Sequence, residues 1–139
     1  MTQKQILVAL DGSKNSFRAL EKSITLAKQM DAQITGIFLI QPFPTETRLL
    51  KQTIENAIRK KTLKFMRVAK SKCEKNKVDF LDIIEYGHEG QAIVDFAKKY
   101  KFDMIVMGYR GMNPVKEAFL GSTSQYVVHV TKIPVLIVK

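Results

Sequence analysis

The feature that most constrains the fold is a regular alternation of strand-like and helix-like segments along the chain. Residues 6–10 form a continuous apolar run, ILVAL, which is typical of a parallel strand buried on both faces. Four more strand-like segments follow, at residues 34–40, 78–85, 104–107 and 135–138. We expect the second of them to stop at Gln41-Pro42-Phe43-Pro44, because proline cannot continue a hydrogen-bonded ladder.

Helical patterns separate these strands. The first has Phe17, Leu20, Ile24 and Ala27 on one face, with Asp11 or Ser13 as its N-cap. The second runs from about residue 46 to 76, the third follows the turn at residues 87–90, and the fourth covers residues 122–130. Such alternation with short connections predicts an α/β fold: a single, doubly wound, Rossmann-like five-stranded parallel sheet with helices on both faces, forming one domain over residues 1–139.

Composition narrows the class of protein. A chain of 139 residues with 45% hydrophobic and 26% charged residues is ordinary for a globular domain. No apolar run approaches the ~20 residues that a membrane-spanning helix needs, and the N-terminus does not resemble a signal peptide. The single cysteine, Cys73, excludes an internal disulfide and is expected to be a small core residue. We therefore expect a cytoplasmic protein with no membrane association.

The formal charge of +10 is concentrated in one part of the chain. Residues 48–77, from Arg48 to Lys77 and called here the basic segment, hold eleven Lys and Arg residues against Glu55 and Glu74. Such a segment favours either a solvated helix face or a surface for nucleic acid or another polyanion. No aromatic stacking platform accompanies it, because Phe65 has the spacing of a core residue.

Candidate ligand-binding residues follow the strands. In an open parallel sheet, ligands bind beyond the carboxyl ends of the strands, and here Asp11, Gln41 and Gly108 occupy such positions. Gly108 and Gly111 are expected to adopt positive φ and to let a ligand approach the backbone. Gly121 begins a helix whose unpaired N–H groups favour phosphate.

Two alternatives remain open at the start of this last helix. Ser122 and Thr123 supply hydroxyl groups that either contact phosphate or cap the helix. Neither the Walker A motif nor the GxGxxG fingerprint after the first strand is present. The pattern therefore indicates an anion site of another kind.

The spacing Gly108-x2-Gly111-x9-Gly121-Ser122 resembles the nucleotide-binding signature of the universal stress protein family, G-2x-G-9x-G(S/T). The resemblance extends over essentially the whole chain, through ILVALDGS, MIVMGYRG and GSTSQYVVHVTKIPVLIV. It implies an adenine nucleotide alpha hydrolase-like fold and the ATP-binding branch of the family. One departure is the turn Gly87-His88-Glu89-Gly90, where relatives often have Gly-Asp-Pro, which leaves the role of this turn open.

The resemblance also implies roles for individual residues. Asp11 would approach the ribose or a phosphate-bound Mg²⁺, and Leu39 would contact adenine through its backbone. Arg110 is either a phosphate contact or a solvated loop residue. The remaining residues implied to line the ribose and phosphates are Met107, Gly108, Gly111, Gly121, Ser122 and Thr123.

The implied function is that of a stress-response regulator switched by ATP, ADP or AMP, with Mg²⁺ held through the phosphates. The sequence contains no Walker lysine and no recognisable general base, so we expect at most slow ATP hydrolysis. The alternative function is nucleic-acid or polyanion binding by the basic segment. Relatives dimerise through the last strand, which implies a homodimer formed through Val135–Val138.

Overall fold

The computed structural model describes residues 3–40, 47–111 and 120–139. Strands and helices alternate along them, as the sequence predicts. The expected end of the second strand at Gln41–Pro44, and the expected start of the second helix near residue 46, lie outside the described residues. The elements are β1 (Lys4–Ala9), α1 (Lys14–Met30), β2 (Ala32–Ile40), α2 (Arg48–Lys75), β3 (Phe80–Tyr86), α3 (Glu89–Lys99), β4 (Met104–Gly108), α4 (Ser122–Val130) and β5 (Val135–Val138).

The five strands form one parallel sheet in the order β3-β2-β1-β4-β5. The chain moves outward from β1 to β3, then crosses to the other side of β1 for β4 and β5. Because crossover connections keep one hand, this reversal places α1 and α2 on one face and α3 and α4 on the other. The doubly wound α/β prediction is therefore confirmed.

β1 is buried on both faces, which explains its continuous apolar sequence. Ile6 and Val8 pack in the core beneath α1 and α2, whereas Leu7 packs in the core beneath α3 and α4. All three side chains are fully buried. The central strand thus ends at the carboxyl edge of the sheet between two filled layers.

α2 contributes to the core only through its C-terminal half. Thr62, Met66, Ala69 and Cys73 are buried at helical spacing, whereas no residue between Arg48 and Lys61 is buried. Apolar residues of the N-terminal half, such as Leu50, are therefore not core residues, and the Leu50 side chain is 52% exposed. Within the described ranges, no helix is both long and apolar enough to cross a bilayer.

Candidate functional site

A cavity of about 370 Å³ lies at the carboxyl ends of the strands, beside the neighbouring strands β1 and β4, where the strand order reverses. This is the position at which an open α/β sheet binds ligands. The structure brings all nine sequence-predicted site residues to its wall: Asp11, Leu39, Met107, Gly108, Arg110, Gly111, Gly121, Ser122 and Thr123.

One part of the wall is apolar. Ala9, Ile37, Leu39, Ile93 and Met107 line it and belong to, or pack against, the core layer beneath α3 and α4. These side chains come from three strands and one helix that are distant in sequence. Such a wall suits the face of an aromatic ring.

The backbone of Leu39 adds polar groups to this apolar part. The pairing of β1 with β2 ends at Ala9 opposite Ile37, and the Leu10 N–H makes one further bond of 2.9 Å to the Ile37 carbonyl. Alternate residues of a strand direct their N–H and C=O to the same neighbouring strand. The N–H and C=O of Leu39 therefore point towards the β1 side, beyond that last bond, where Leu39 lines the cavity.

The opposite part of the wall is the N-terminus of α4. Its N-cap is Gly121, and no side chain caps the helix. Capping by Ser122, one of the two alternatives from the sequence, is therefore wrong, and the Ser122 side chain is exposed. The first N–H groups of a helix have no intrahelical acceptor, and together with the helix dipole they favour an anion.

The structure of the protein itself does not require glycine at position 121. The Gly121 φ is −64°, which any residue adopts. A Cβ built there would lie 3.4 Å from the Arg110 Cα and 3.5 Å from the Tyr109 carbonyl oxygen, which are ordinary contact distances. A methyl group at Gly121 would therefore fit without strain, whereas a larger side chain there would extend along the cavity wall.

The expectation of positive φ at Gly108 and Gly111 is wrong, because neither lies in the left-handed region. Gly108 is instead needed for close approach to another backbone segment, and Gly111 lies beside the Asp11 carboxylate. A Cβ on Gly108 would lie 2.9 Å from the backbone carbonyl carbon of Asn15, at the start of α1. A Cβ on Gly111 would lie 2.6 Å from Oδ2 of Asp11.

Asp11 organises the turn between β1 and α1. Its Oδ1 accepts a hydrogen bond of 2.8 Å from the Ser13 N–H. The N-cap of α1 is Ser13, whose Oγ accepts the Ser16 N–H at 3.1 Å. Of the two N-cap candidates from the sequence, Ser13 is thus the correct one, and the Asp11 carboxylate remains at the cavity wall.

Arg110 also lies at the wall, next to Tyr109. Its guanidinium carbon is 4.5 Å from the centroid of the Tyr109 ring, and Nη2 donates to the Tyr109 hydroxyl. The side chain is half-buried rather than fully solvated. A cation is therefore present on the same wall as the α4 N-terminus.

Sequence reasoning missed three polar residues of the wall, Glu89, Ser124 and Ser16. Glu89, the first residue of α3, accepts a hydrogen bond of 2.8 Å from the Thr123 hydroxyl. Ser124 is buried and donates to the Gly108 carbonyl at 2.9 Å, which ties α4 to the end of β4. The sequence signals for Glu89 are its position after a strand end and its place in the turn Gly87-His88-Glu89-Gly90, and neither of them indicates a contact with Thr123.

The described residues contain no cluster of three or more His, Cys, Asp or Glu side chains that could hold a metal ion. Two carboxylates, Asp11 and Glu89, line the cavity. Mg²⁺ typically binds through one or two carboxylates together with substrate phosphates and water. The side chains of the wall therefore fit Mg²⁺ that arrives with a phosphorylated ligand, but not a resident metal centre.

An open parallel sheet with a cavity at its strand-order reversal defines a Rossmann-like α/β protein with a ligand site at the switch point. The family model of the universal stress protein family matches residues 2–139. The chain therefore belongs to the universal stress protein family.

Individual relatives agree with this assignment. Universal stress protein YxiE of Bacillus subtilis is 32% identical, with 97% of this chain and 98% of the relative covered. Universal stress protein MJ0531 of Methanocaldococcus jannaschii is also 32% identical, with 98% and 82% covered. Both relatives align with nearly the whole of this chain.

Solved structures share the fold. The structure of protein MJ0577 matches with a TM-score of 0.91 at 25% identity, covering 100% of this chain and 97% of that one. A universal stress protein in complex with cAMP matches with a TM-score of 0.72 at 24% identity, covering 100% and 98%. A universal stress protein from Archaeoglobus fulgidus in complex with dAMP also has a TM-score of 0.72, at 19% identity with full coverage of both chains.

Proposed function

We propose that this protein binds an adenine nucleotide, ATP together with Mg²⁺ or its ADP and AMP forms, and acts in the cytoplasm as a nucleotide-dependent stress-response regulator. The proposal rests on one observation, which is that two kinds of surface line the same cavity. One is an apolar wall that includes the backbone N–H and C=O of Leu39, beyond the last pair of β1 and β2. The other is the N-terminus of α4 at Gly121, which no side chain caps.

Each part of an adenine nucleotide has a counterpart in this cavity. The apolar wall suits the purine ring, and the Leu39 N–H and C=O match an acceptor and a donor on its edge. The α4 N-terminus and Arg110 suit phosphate. Asp11 lies at the wall near Gly111, where its carboxylate can accept from a ribose hydroxyl or bind phosphate-held Mg²⁺.

Two structures that share the fold were solved with adenine nucleotides, one with cAMP and one with dAMP. These ligands contain the ring, sugar and phosphate for which the proposal assigns parts of the cavity wall. At 24% and 19% identity the two structures share the fold with this chain, and the lining of the cavity supports the ligand class.

Catalysis by this site is at most slow. Efficient phosphoryl transfer needs cations on the γ-phosphate and a group that positions the attacking water. Among the described residues of the wall, Arg110 is the only cation, and Glu89 already accepts from Thr123. Binding and release of the nucleotide, rather than turnover, would then carry the signal.

Calorimetry with ATP and Mg²⁺ tests the proposal. We expect the wild type to bind and Gly121→Val to lose at least about tenfold in affinity, because a branched side chain fills the space beside the phosphates. Gln125→Val is the matched control, since it places the same side chain one turn along α4, outside the cavity. Absence of ATP, ADP and AMP binding by the wild type, or equal affinity of all three proteins, would contradict the proposal.

We also propose a homodimer through β5, which forms one edge of the sheet. The Ile105 N–H bonds to Pro134 and the Tyr109 N–H to Val138, so the even-numbered residues of β5 face β4. Val135 and Ile137 therefore direct their backbone groups outward, where a second strand can pair.

Ile137→Pro removes one outward N–H without removing a bond to β4, so sedimentation should show a dimer for the wild type and a monomer for this variant.

A second candidate function rests on the basic segment. Among the described residues, Lys72 is its only cation in an ion pair, with Glu21 at 2.6 Å. Lys60, Lys64 and Arg67 are exposed and follow one another on one side of α2. We propose that this row binds a polyanion such as a nucleic acid.

The salt dependence of binding tests this second function. Affinity for single-stranded and double-stranded DNA should fall steeply with salt, and the triple change of Lys60, Lys64 and Arg67 to Gln should weaken it. The control changes Lys22, Lys28 and Lys98, which are exposed on other helices, to Gln. If the affinity for DNA does not depend on salt concentration, or if both triple variants lower it equally, a specific DNA-binding surface on α2 is excluded.

A further inference from the structure

The cavity contains a negative charge at the place where phosphate is expected. Oε2 of Glu89 accepts the Thr123 hydroxyl at 2.8 Å, and both residues line the cavity. Thr123 is the second residue of α4, so the Glu89 carboxylate lies at the same helix N-terminus that would receive a ligand phosphate.

Packing between α3 and α4 holds Glu89 in this position. Gly90 lies against the Tyr126 ring so closely that a Cβ on Gly90 would be 2.6 Å from Cδ1 of the ring. The Tyr126 hydroxyl also donates to Gln91. The first turn of α3 thus packs tightly against α4, and this packing fixes the position of Glu89.

Glu89 also lies close to two helix N-termini. The residue is at the N-terminus of α3 and next to that of α4, and a helix N-terminus favours a carboxylate. A ligand phosphate would share the α4 N-terminus with this internal anion. Each phosphate charge would then meet a repulsion that an uncharged adenosine does not feel.

We propose that Glu89 is a specificity-determining residue that weakens binding as the number of phosphates rises and makes triphosphate binding depend on a divalent cation. The proposal rests on the adenine-nucleotide function above. Without a divalent cation, the site then favours ligands with few phosphates. Mg²⁺ offsets the charge of ATP and so restores its affinity.

The test compares wild type and Glu89→Gln with adenosine, AMP, ADP and ATP, by calorimetry in EDTA at low salt. Glutamine keeps the shape and can still accept from Thr123, so only the charge changes. We expect the substitution to leave the affinity for adenosine unchanged and to raise the affinity for ATP about tenfold. Saturating Mg²⁺ or high salt should shrink the gain.

Two variants control for other effects. Asp95→Asn removes the same charge from the exposed side of α3 and should not change the ligand series. Glu89→Asp keeps the charge, so the preference for few phosphates should persist, and the salt dependence of wild-type ATP affinity in EDTA tests the charge even where Glu89→Gln folds poorly.

The outcomes separate this proposal from the function on which it rests. If the wild type binds all four ligands and the substitution changes each affinity equally, the charge role is excluded while nucleotide binding stands. If Glu89→Gln lowers the affinity for ATP more than the affinity for adenosine, the carboxylate contacts the ligand favourably and the proposal is wrong. If neither protein binds any of the four, the adenine-nucleotide function itself fails.

Discussion

Gly111 and Asp11 are in such close contact that the backbone of one fixes the space available to the carboxylate of the other. A Cβ on Gly111 would lie 2.6 Å from Asp11 Oδ2, while Asp11 Oδ1 accepts from the Ser13 N–H at 2.8 Å. The loop after β4 thereby lies against the turn after β1, 100 residues away in sequence. Two strand ends form one side of the cavity through this contact.

This contact predicts the effect of Gly111→Ala. The added methyl group forces the Asp11 carboxylate to rotate, so nucleotide affinity should fall about tenfold while the free energy of unfolding changes by less than ~1 kcal/mol. A double-mutant cycle with Asp11→Ala, followed by calorimetry, measures the coupling. If Gly111→Ala costs the same affinity in the Asp11→Ala background, the effect does not act through Asp11.

Gly108 and Gly121 should respond differently to alanine. A Cβ on Gly108 meets the Asn15 backbone at 2.9 Å, so Gly108→Ala should destabilise the fold by about 1–3 kcal/mol. Gly121→Ala meets only ordinary contacts and should cost less than ~1 kcal/mol. Urea denaturation of the two variants checks this order, and equal losses would contradict it.

Ser124 and Ser122 provide a second matched pair. Ser124→Ala deprives the buried Gly108 carbonyl of the hydroxyl that donates to it at 2.9 Å, which should cost about 1–3 kcal/mol. Ser122→Ala removes an exposed hydroxyl and should leave stability within ~0.5 kcal/mol. Thermal denaturation in the absence of nucleotide makes the comparison. A larger loss for Ser122→Ala would show that its hydroxyl, not that of Ser124, stabilises this end of α4.

Cys73 should make stability sensitive to alkaline pH. Burial, with the negative charges of Glu21 and Glu74 adding to it, raises the pKa of its thiol from 9.0 to about 12. The unfolded thiol ionises first, so the contribution of Cys73 is complete below pH ~9 and is lost as the pH rises towards ~12. Between pH 8 and pH 10, the urea midpoint of unfolding should therefore fall further for the wild type than for Cys73→Ala.

The same burial predicts that Cys73 is inert in the native state. A thiol reagent at pH 8 should modify it slowly in buffer and rapidly in urea, because only unfolding exposes the sulfur. Rapid modification of the native protein would contradict both the burial and the raised pKa.

The local pattern was sufficient to predict most of the fold. α4 and β5 have the predicted bounds, because Gly121 and Pro134 mark sharp starts. In α2, by contrast, the apolar spacing at Leu50 continues without a partner, and the helix becomes buried only from Thr62. Periodicity shows which side of a helix is apolar, but another element must cover that side before it is buried.

The sequence by itself determined the alternation of strands and helices, the strand ends at which the cavity forms, and the glycines beside them, because each of these follows from local propensity and spacing. Only the tertiary structure decided that Gly108 serves the contact with Asn15 and that Glu89 reaches Thr123. Those contacts depend on which helix the crossover places over which strand end. No local pattern contains that information, since it arises only when distant segments pack together.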